Sequence, residues 1–206
     1  MTILLKIDSR NPDRKKIAAA VAVLKEGGVI AYPTETFYGL GADAFNKAAV
    51  EKVFTIKGRG FDNPVSVIID DESALNTLVT EIPEKARILM KRFWPGPLTI
   101  VFRAAPSVSA RLTANTGKIG VRISSHPIAA LLARELGAPL TATSANLSGR
   151  KEAVSAAGVK ESLGDLPDLI IDGGETPGRP GSTILDVTVF PFRILREGAI
   201  HIGDLL

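Results

Sequence analysis

Cysteine is absent from this 206-residue chain, and its two histidines, His126 and His201, lie far apart. Without thiols there is no disulfide, no thiolate metal site and no cysteine nucleophile, and two separated histidines give no basis for a histidine-built metal centre. Aromatic residues amount to 5%, which argues against recognition of single strands by base stacking. Long apolar runs are missing too: Val65 to Ile69 and Leu98 to Phe102 fall far short of the roughly 20 residues that cross a bilayer. The N-terminal Met1-Thr-Ile-Leu-Leu-Lys6-Ile-Asp8 becomes charged too soon for a secretory signal. A cytoplasmic protein without membrane attachment is therefore expected. The phosphate loop G-x-x-x-x-G-K-[ST] has no match, and neither the H-R-D nor the D-F-G of protein kinases occurs. Gly39-Leu-Gly41-Ala-Asp-Ala44 satisfies G-x-G-x-x-[GA], but no helix starts directly behind it as a dinucleotide fold requires. Taken alone, these two glycines have the bland explanation of a tight turn.

What is present describes a folded globular chain, 45% hydrophobic and 23% charged, with a net charge of +3 that permits an anionic partner without identifying one. Asn11 before Pro12 reads as a helix start, Ile17, Val21 and Leu24 recur at helical spacing, and Gly27-Gly28 closes the segment. A β-rich run from Gly28 to Thr34 follows, its end marked by Pro33. Asn46 caps a helix from Lys47 to Lys57 whose apolar face carries Val50, Val53 and Phe54, so Lys57 sits at the helix exit. Val65 to Ile69 reads as a strand buried on both faces. Helical stretches are expected near 72–79 and 83–93, a turn at Trp94-Pro-Gly-Pro97, and strands over 98–102 and 119–123. Pro127 opens a helix that Gly137 ends, followed by a strand over 140–144, a helix over 155–163, and extended segments at 169–172, 182–188 and 192–196. Strands alternating with helices predict an α/β fold, a twisted mixed sheet with helices packed against it, as one domain over 1–206. The short links near 33–44 and 172–196 require some antiparallel pairs.

Four polar segments stand apart from this framework: Pro33-Thr34-Glu-Thr-Phe-Tyr38-Gly39-Leu-Gly41, Lys57-Gly-Arg59, Ser144-Ala-Asn146 and Arg196-Glu-Gly198. Singly, each has a bland explanation. Lys-x-Arg behind a helix is usually a solvated pair favoured by the helix dipole, and Ser-x-Asn usually a turn or cap. Together with Ser182-Thr-Ile-Leu-Asp186, and in this order, they resemble the YrdC/YciO family. Its pattern reads P-T-[DE]-T-x-Y-G-L-G, K-x-R, S-x-N with a trailing L-S-G, S-T-I-[VL]-D and R-x-G. The resemblance runs from about Gly27 to Gly198.

The resemblance implies a YrdC-like sheet with a basic concave face and the activity of an L-threonylcarbamoyladenylate synthase. Such an enzyme is a nucleotidyltransferase that joins ATP, bicarbonate and L-threonine into threonylcarbamoyl-AMP with release of pyrophosphate, for N6-threonylcarbamoyladenosine in tRNA. It places Lys57, Arg59 and Asn63 at the ATP phosphates, Ser144, Asn146 and Arg196 in the rest of the nucleotide pocket, Thr34 at threonine, Arg122 on its carboxylate and Ser182 nearby. The residue types permit this, since a triphosphate carries about four negative charges and needs cations such as Lys57 and Arg59, the electrostatic catalysts of this reading. Mg2+ is expected to arrive with ATP, and the tRNA threonylcarbamoyl-transfer machinery to consume the product. Two alternatives stay open: an RNA-binding module that holds tRNA or double-stranded RNA through its phosphates, and an ATP-dependent enzyme acting on a different amine or carbamoyl substrate. The chain departs from the family pattern at Gly60 and Val65, at Ile68 where a threonine-contacting histidine is usual, and at Lys118 and Ala142 where hydroxyls are common. A further C-terminal domain, carried by longer members, is not expected.

Overall fold

The computed structural model describes residues 1–58, 60, 63–178 and 180–203. In chain order the elements are β1 (Ile3–Lys6), α1 (Arg14–Lys25), β2 (Ile30–Pro33), β3 (Tyr38–Gly41), α2 (Lys47–Lys57), β4 (Ser66–Ile68), α3 (Leu75–Leu78, entered through a 3-10 turn at Glu72–Ala74), α4 (Glu84–Phe93), β5 (Leu98–Arg103), β6 (Lys118–Arg122), α5 (Pro127–Leu136), β7 (Leu140–Ser144), α6 (Ala156–Leu163), β8 (Leu169–Asp172), β9 (Thr183–Asp186) and β10 (Arg193–Arg196). The strands form one mixed sheet in the order β1-β8-β2-β3-β7-β4-β6-β5-β9-β10. As the short links required, β2–β3 and β9–β10 are antiparallel.

Helix α2 starts and stops where its punctuation demands. Asn46 accepts from the Ala49 N–H, and Gly58 adopts the left-handed conformation that closes the C-terminus. Helix α1 begins later than Asn11-Pro12 suggested, because Asp13 rather than Asn11 takes the Lys15 and Lys16 amides. His126 accepts the Ile128 N–H through Nδ1 in front of Pro127, a capping role that needs the neutral ring. Desolvation favours that form, outweighing the nearby Glu35 charge and lowering the His126 pKa.

Burial divides the sheet into two unlike halves. Around β2, β8 and the ends of β3 and β7 nearest them, helices pack on both faces, while Tyr38 and Gly39 of β3 and Ala142 to Ser144 of β7 reach the cavity. One face sends Ile30, Tyr32, Leu140 and Ile171 against α1 and α5, and the other sends Ala31, Leu40 and Ile170 against α2 and α6. Around β4, β5, β6 and β9 one face alone is packed, with Val67, Ile100, Val121 and Leu185 joining Phe54, Leu75 and Met90. The alternate residues of those strands turn to the opposite side and line an open concavity.

Gly39 and Gly41 do not form a turn. Both lie in β3 opposite β2, with Gly39 paired to Tyr32, and their missing side chains make room for the Tyr32 ring. A Cβ on Gly41 would meet Tyr32 Cε1 at 2.6 Å and Leu140 Cδ1 at 2.9 Å. The ring is fully buried and its hydroxyl donates to the Thr141 carbonyl over 2.9 Å. Overpacking of this kind costs about 1–3 kcal/mol. Gly41→Ala is therefore expected to lower the unfolding free energy by that amount in chemical denaturation, and an unchanged midpoint would show that the sheet yields without cost.

Candidate functional site

The concavity is a cavity of about 840 Å³, inside the usual range of small-molecule sites of roughly 300–1,000 Å³. Its floor follows from strand alternation. Ser66 on β4, Thr99 on β5, Arg122 on β6 and Ile184 on β9 line it, while their sequence neighbours enter the core. Gly120 keeps the floor low, since a Cβ there would lie 2.5 Å from Ser66 Oγ and 3.2 Å from Thr99 Cγ2.

One wall is built around Lys57 at the end of α2. The residue is 4% exposed, and an ammonium taken out of water must be supplied with acceptors. Its Nζ donates to the Ser144 carbonyl at 2.6 Å, to Ser144 Oγ at 3.2 Å and to Asn146 Oδ1 at 3.0 Å. The contact is reciprocal, since the Ser148 N–H donates to the Lys57 carbonyl and Asn146 Nδ2 to the Arg150 carbonyl over 2.5 Å. Lys57 thus anchors the loop behind β7 as well as lining the cavity. Asn63 lines the cavity from the segment before β4; Arg59 lies outside the described residues.

The opposite wall comes from the turn between β2 and β3. Thr34 and Thr36 are buried and line the cavity, with Thr34 Oγ1 donating to the Phe37 carbonyl at 2.6 Å and accepting from the Thr36 N–H at 3.2 Å. Between them stands Glu35, which sequence reasoning passed over. Its Oε1 lies 3.2 Å from Nη1 of Arg122, the two side chains being 12% and 8% exposed, and its Oε2 accepts from the Ser124 hydroxyl. Nothing local flags Glu35 as different from any turn carboxylate, since Arg122 and Ser124 are remote in sequence.

At the mouth, Arg196 on β10 donates through Nε to the Ser182 carbonyl at 2.9 Å and through Nη2 to Ser182 Oγ at 2.8 Å. Thr99 Oγ1 also donates to Ser182 Oγ, at 3.3 Å, so both lone pairs of that hydroxyl are used and its own proton remains for an acceptor in the cavity. Partial burial first, and then the like charge of Arg122, lower the Arg196 pKa against the opposing pull of Glu152. Its guanidinium stays protonated all the same. Gly198 makes this corner possible, because a Cβ would stand 2.5 Å from the Ser182 carbonyl carbon and from the Thr183 nitrogen.

Eight of the nine residues singled out in the sequence therefore meet around one cavity: Thr34, Lys57, Asn63, Arg122, Ser144, Asn146, Ser182 and Arg196. Arg150 and Lys151 join them, so that five cations face one carboxylate, Glu152, among the described lining residues. Two departures from the family pattern fall away from the site. Ile68 is fully buried in the core beside Tyr32 and Leu140, and Lys118 pairs with Asp186 at 2.8 Å at the far end of β6 from Arg122. Ala142 does line the cavity. Among the described residues no group of three or more His, Cys, Asp or Glu could hold a metal ion, and no helix is long and apolar enough to cross a membrane.

The α/β sheet thus carries on one uncovered polar face a cavity rich in cations and hydroxyls, of the size of a small-molecule site. The Sua5/YciO/YrdC family model, described as telomere recombination, matches residues 22–198, and the chain belongs to that family. It is 40% identical over 205 residues to the threonylcarbamoyl-AMP synthase of Pyrococcus abyssi, covering 100% of this chain and 60% of that protein. It is 44% identical over 194 residues to the threonylcarbamoyl-AMP synthase of Bacillus subtilis, covering 94% and 56%. The chain thus spans somewhat under two thirds of the length of these relatives. Among solved structures, P. abyssi Sua5 complexed with L-threonine superposes with a TM-score of 0.95 at 40% identity, over 99% of this chain and 60% of that one. Escherichia coli YciO gives 0.91 at 32% identity, over 100% of both chains.

Two outcomes follow. Lys57→Met keeps the shape but leaves Asn146 Oδ1 without this donor and the Ser144 carbonyl with the Asn146 N–H in place of two donors, which should lower stability by about 1–3 kcal/mol in chemical denaturation; an unchanged midpoint would refute the anchoring role. Burial pushes the Asp186 carboxyl up, but hydrogen bonds from Lys118 and Thr188 more than offset this and hold its pKa below the ordinary value. Its contribution is then complete above the unfolded value of about 4 and drains as pH falls through the lower folded value. Thermal melts of Asp186→Asn should accordingly show a flatter acid limb than the parent; parallel limbs would speak against it.

Proposed function

We propose that the chain is an L-threonylcarbamoyladenylate synthase, forming threonylcarbamoyl-AMP and pyrophosphate from ATP, bicarbonate and L-threonine for tRNA modification. The observation that carries this reading is the polarity of the cavity. A buried arginine, Arg122, sits on the floor among hydroxyls, and further cations gather at the wall and mouth. That arrangement suits a small carboxylate at one end and a polyphosphate at the other. The relatives named threonylcarbamoyl-AMP synthase and the threonine complex of P. abyssi Sua5 support the same assignment.

In this reading Arg122 binds the threonine carboxylate with Thr34 and Ser182 alongside. The phosphates lie toward Arg196, Asn63 and the Ser144–Asn146 loop held by Lys57, with Arg59 as a further cation. Threonine nitrogen and bicarbonate give a carbamate and water. A carbamate oxygen then attacks the α-phosphorus, the bond from that phosphorus to the bridging oxygen breaks, and pyrophosphate leaves with the electron pair. The protein supplies positioning and a pre-set positive field, and no side-chain nucleophile is called for. Mg2+ would come with the triphosphate, because one lining carboxylate, Glu152, is too little for a dedicated cage and Mg2+ commonly relies on substrate phosphates.

The assay is incubation with ATP, bicarbonate and L-threonine, followed by mass detection of the adenylate and of threonine-dependent pyrophosphate. Arg196→Ala should reduce turnover about 10²- to 10³-fold, whereas Arg122→Ala should act chiefly through the KM for threonine. Absence of the adenylate, together with RNA binding of steep salt dependence and no ATP affinity, would instead favour an RNA-binding module. A different carbamoyl product would point to another amine substrate.

A further inference from the structure

Glu35 is a buried carboxylate that the scheme above does not use. Its Oε1 is, among the described residues, the buried side-chain polar atom that receives no hydrogen bond, although Arg122 Nη1 approaches it to 3.2 Å. The contact is thus an ion pair whose N–H is not aimed at the oxygen. Arg122 lines the cavity and Glu35 does not, so the carboxylate stands behind the guanidinium. Glu35 is itself fixed. Ser124, 2% exposed, donates to its Oε2. Its backbone is gripped on either side, by the Thr34 hydroxyl bonds and by the Gly178 N–H donating to the Thr36 carbonyl at 2.7 Å.

We propose that Glu35 is the positioning residue of Arg122, a rear counter-charge that holds the guanidinium in the floor while leaving its N–H fork open to a ligand carboxylate. A carboxylate paired edge to edge with Arg122 would fill the fork that a substrate needs. An arginine with no counter-charge would not stay so buried, and would swing toward the cations' shared ligand at the mouth. Glu35 avoids both outcomes by contributing charge without taking the aligned hydrogen bonds. It also makes the inner end of the cavity less positive than the mouth, so a monocarboxylate is favoured at Arg122 and the polyanion is left to Arg196 and its neighbours.

This inference rests on the reading of Arg122 as the threonine-carboxylate site, and the test keeps the two apart. Calorimetry of the full chain with L-threonine, with ATP, and with L-threonine methyl ester, whose carboxyl carries no charge, is run on the parent, on Glu35→Gln and on Ser124→Ala. The parent should bind threonine better than the ester. Glu35→Gln should weaken threonine by about tenfold while ester and ATP binding stay unchanged, so that the preference for the acid collapses. Ser124→Ala, which frees Glu35 but keeps its charge, should weaken threonine by about threefold and decides the matter if Glu35→Gln does not fold. Equal loss of acid and ester, or undiminished threonine binding by the variants, overturns the positioning role alone. A parent protein that binds no threonine overturns the underlying reading and the role with it.

Discussion

A cation removed from water has to be given counter-groups, and Lys57, Arg122 and Arg196 each take theirs from another segment of the chain. Lys57 at the end of α2 is held by Ser144 and Asn146, Arg122 on β6 is matched by Glu35 in the β2–β3 turn, and Arg196 on β10 is fixed to Ser182. The cavity is thus a consequence of where charges can be satisfied. The same contacts that make burial tolerable draw the turn, the helix end, the loop behind β7 and the last strand around one uncovered sheet face. Coulomb attraction to an anionic ligand then comes from groups already oriented, with little left to order on binding.

The sheet explains why that face is free. In the half around β2 and β8 and the near ends of β3 and β7, helices pack on both sides against residues such as Ile30, Ala31, Leu40, Leu140 and Ile170. From β4 outward α2, α3 and α4 cover one side. The boundary falls within a single strand: Ile68 is buried beside Tyr32 in the covered half, and Ser66, two residues earlier and on the same side, lines the cavity. Period-2 alternation then places Thr99 and Arg122 beside Ser66 at no cost to the core.

Much of this was legible in the chain because local chemistry determined it. Asn46 and Gly58 set the ends of α2, and Pro127 and Gly137 those of α5. What escaped depended on partners remote in sequence. Strand β1 is an edge strand, mostly exposed, whose ladder is with β8, so it carries no burial pattern to recognise. Gly39 and Gly41 looked like turn glycines because the Tyr32 ring that excludes their side chains lies on the neighbouring strand. Glu35 looked like any solvated turn acid because Arg122 and Ser124 come together with it only when β6 is laid into the sheet.

The Lys57 network also changes what two of the motifs mean. Lys-x-Arg and Ser-x-Asn are 87 residues apart from Lys57 to Ser144, and each alone reads as a solvated pair or a cap. In the fold Lys57 and Ser-x-Asn are one unit: the ammonium bonds both members of Ser-x-Asn, and the loop returns an amide to the Lys57 carbonyl. Removing either half would leave buried polar atoms of the other without partners, a cost larger than the net worth of the bonds themselves. A sequence that keeps one is therefore under physical pressure to keep the other, whatever ligand the cavity takes. Their joint presence is evidence first of an intact cavity wall, and the nature of the ligand has to be read from the groups that remain directed inward: the Arg122 fork, the Ser182 proton and the cations at the mouth.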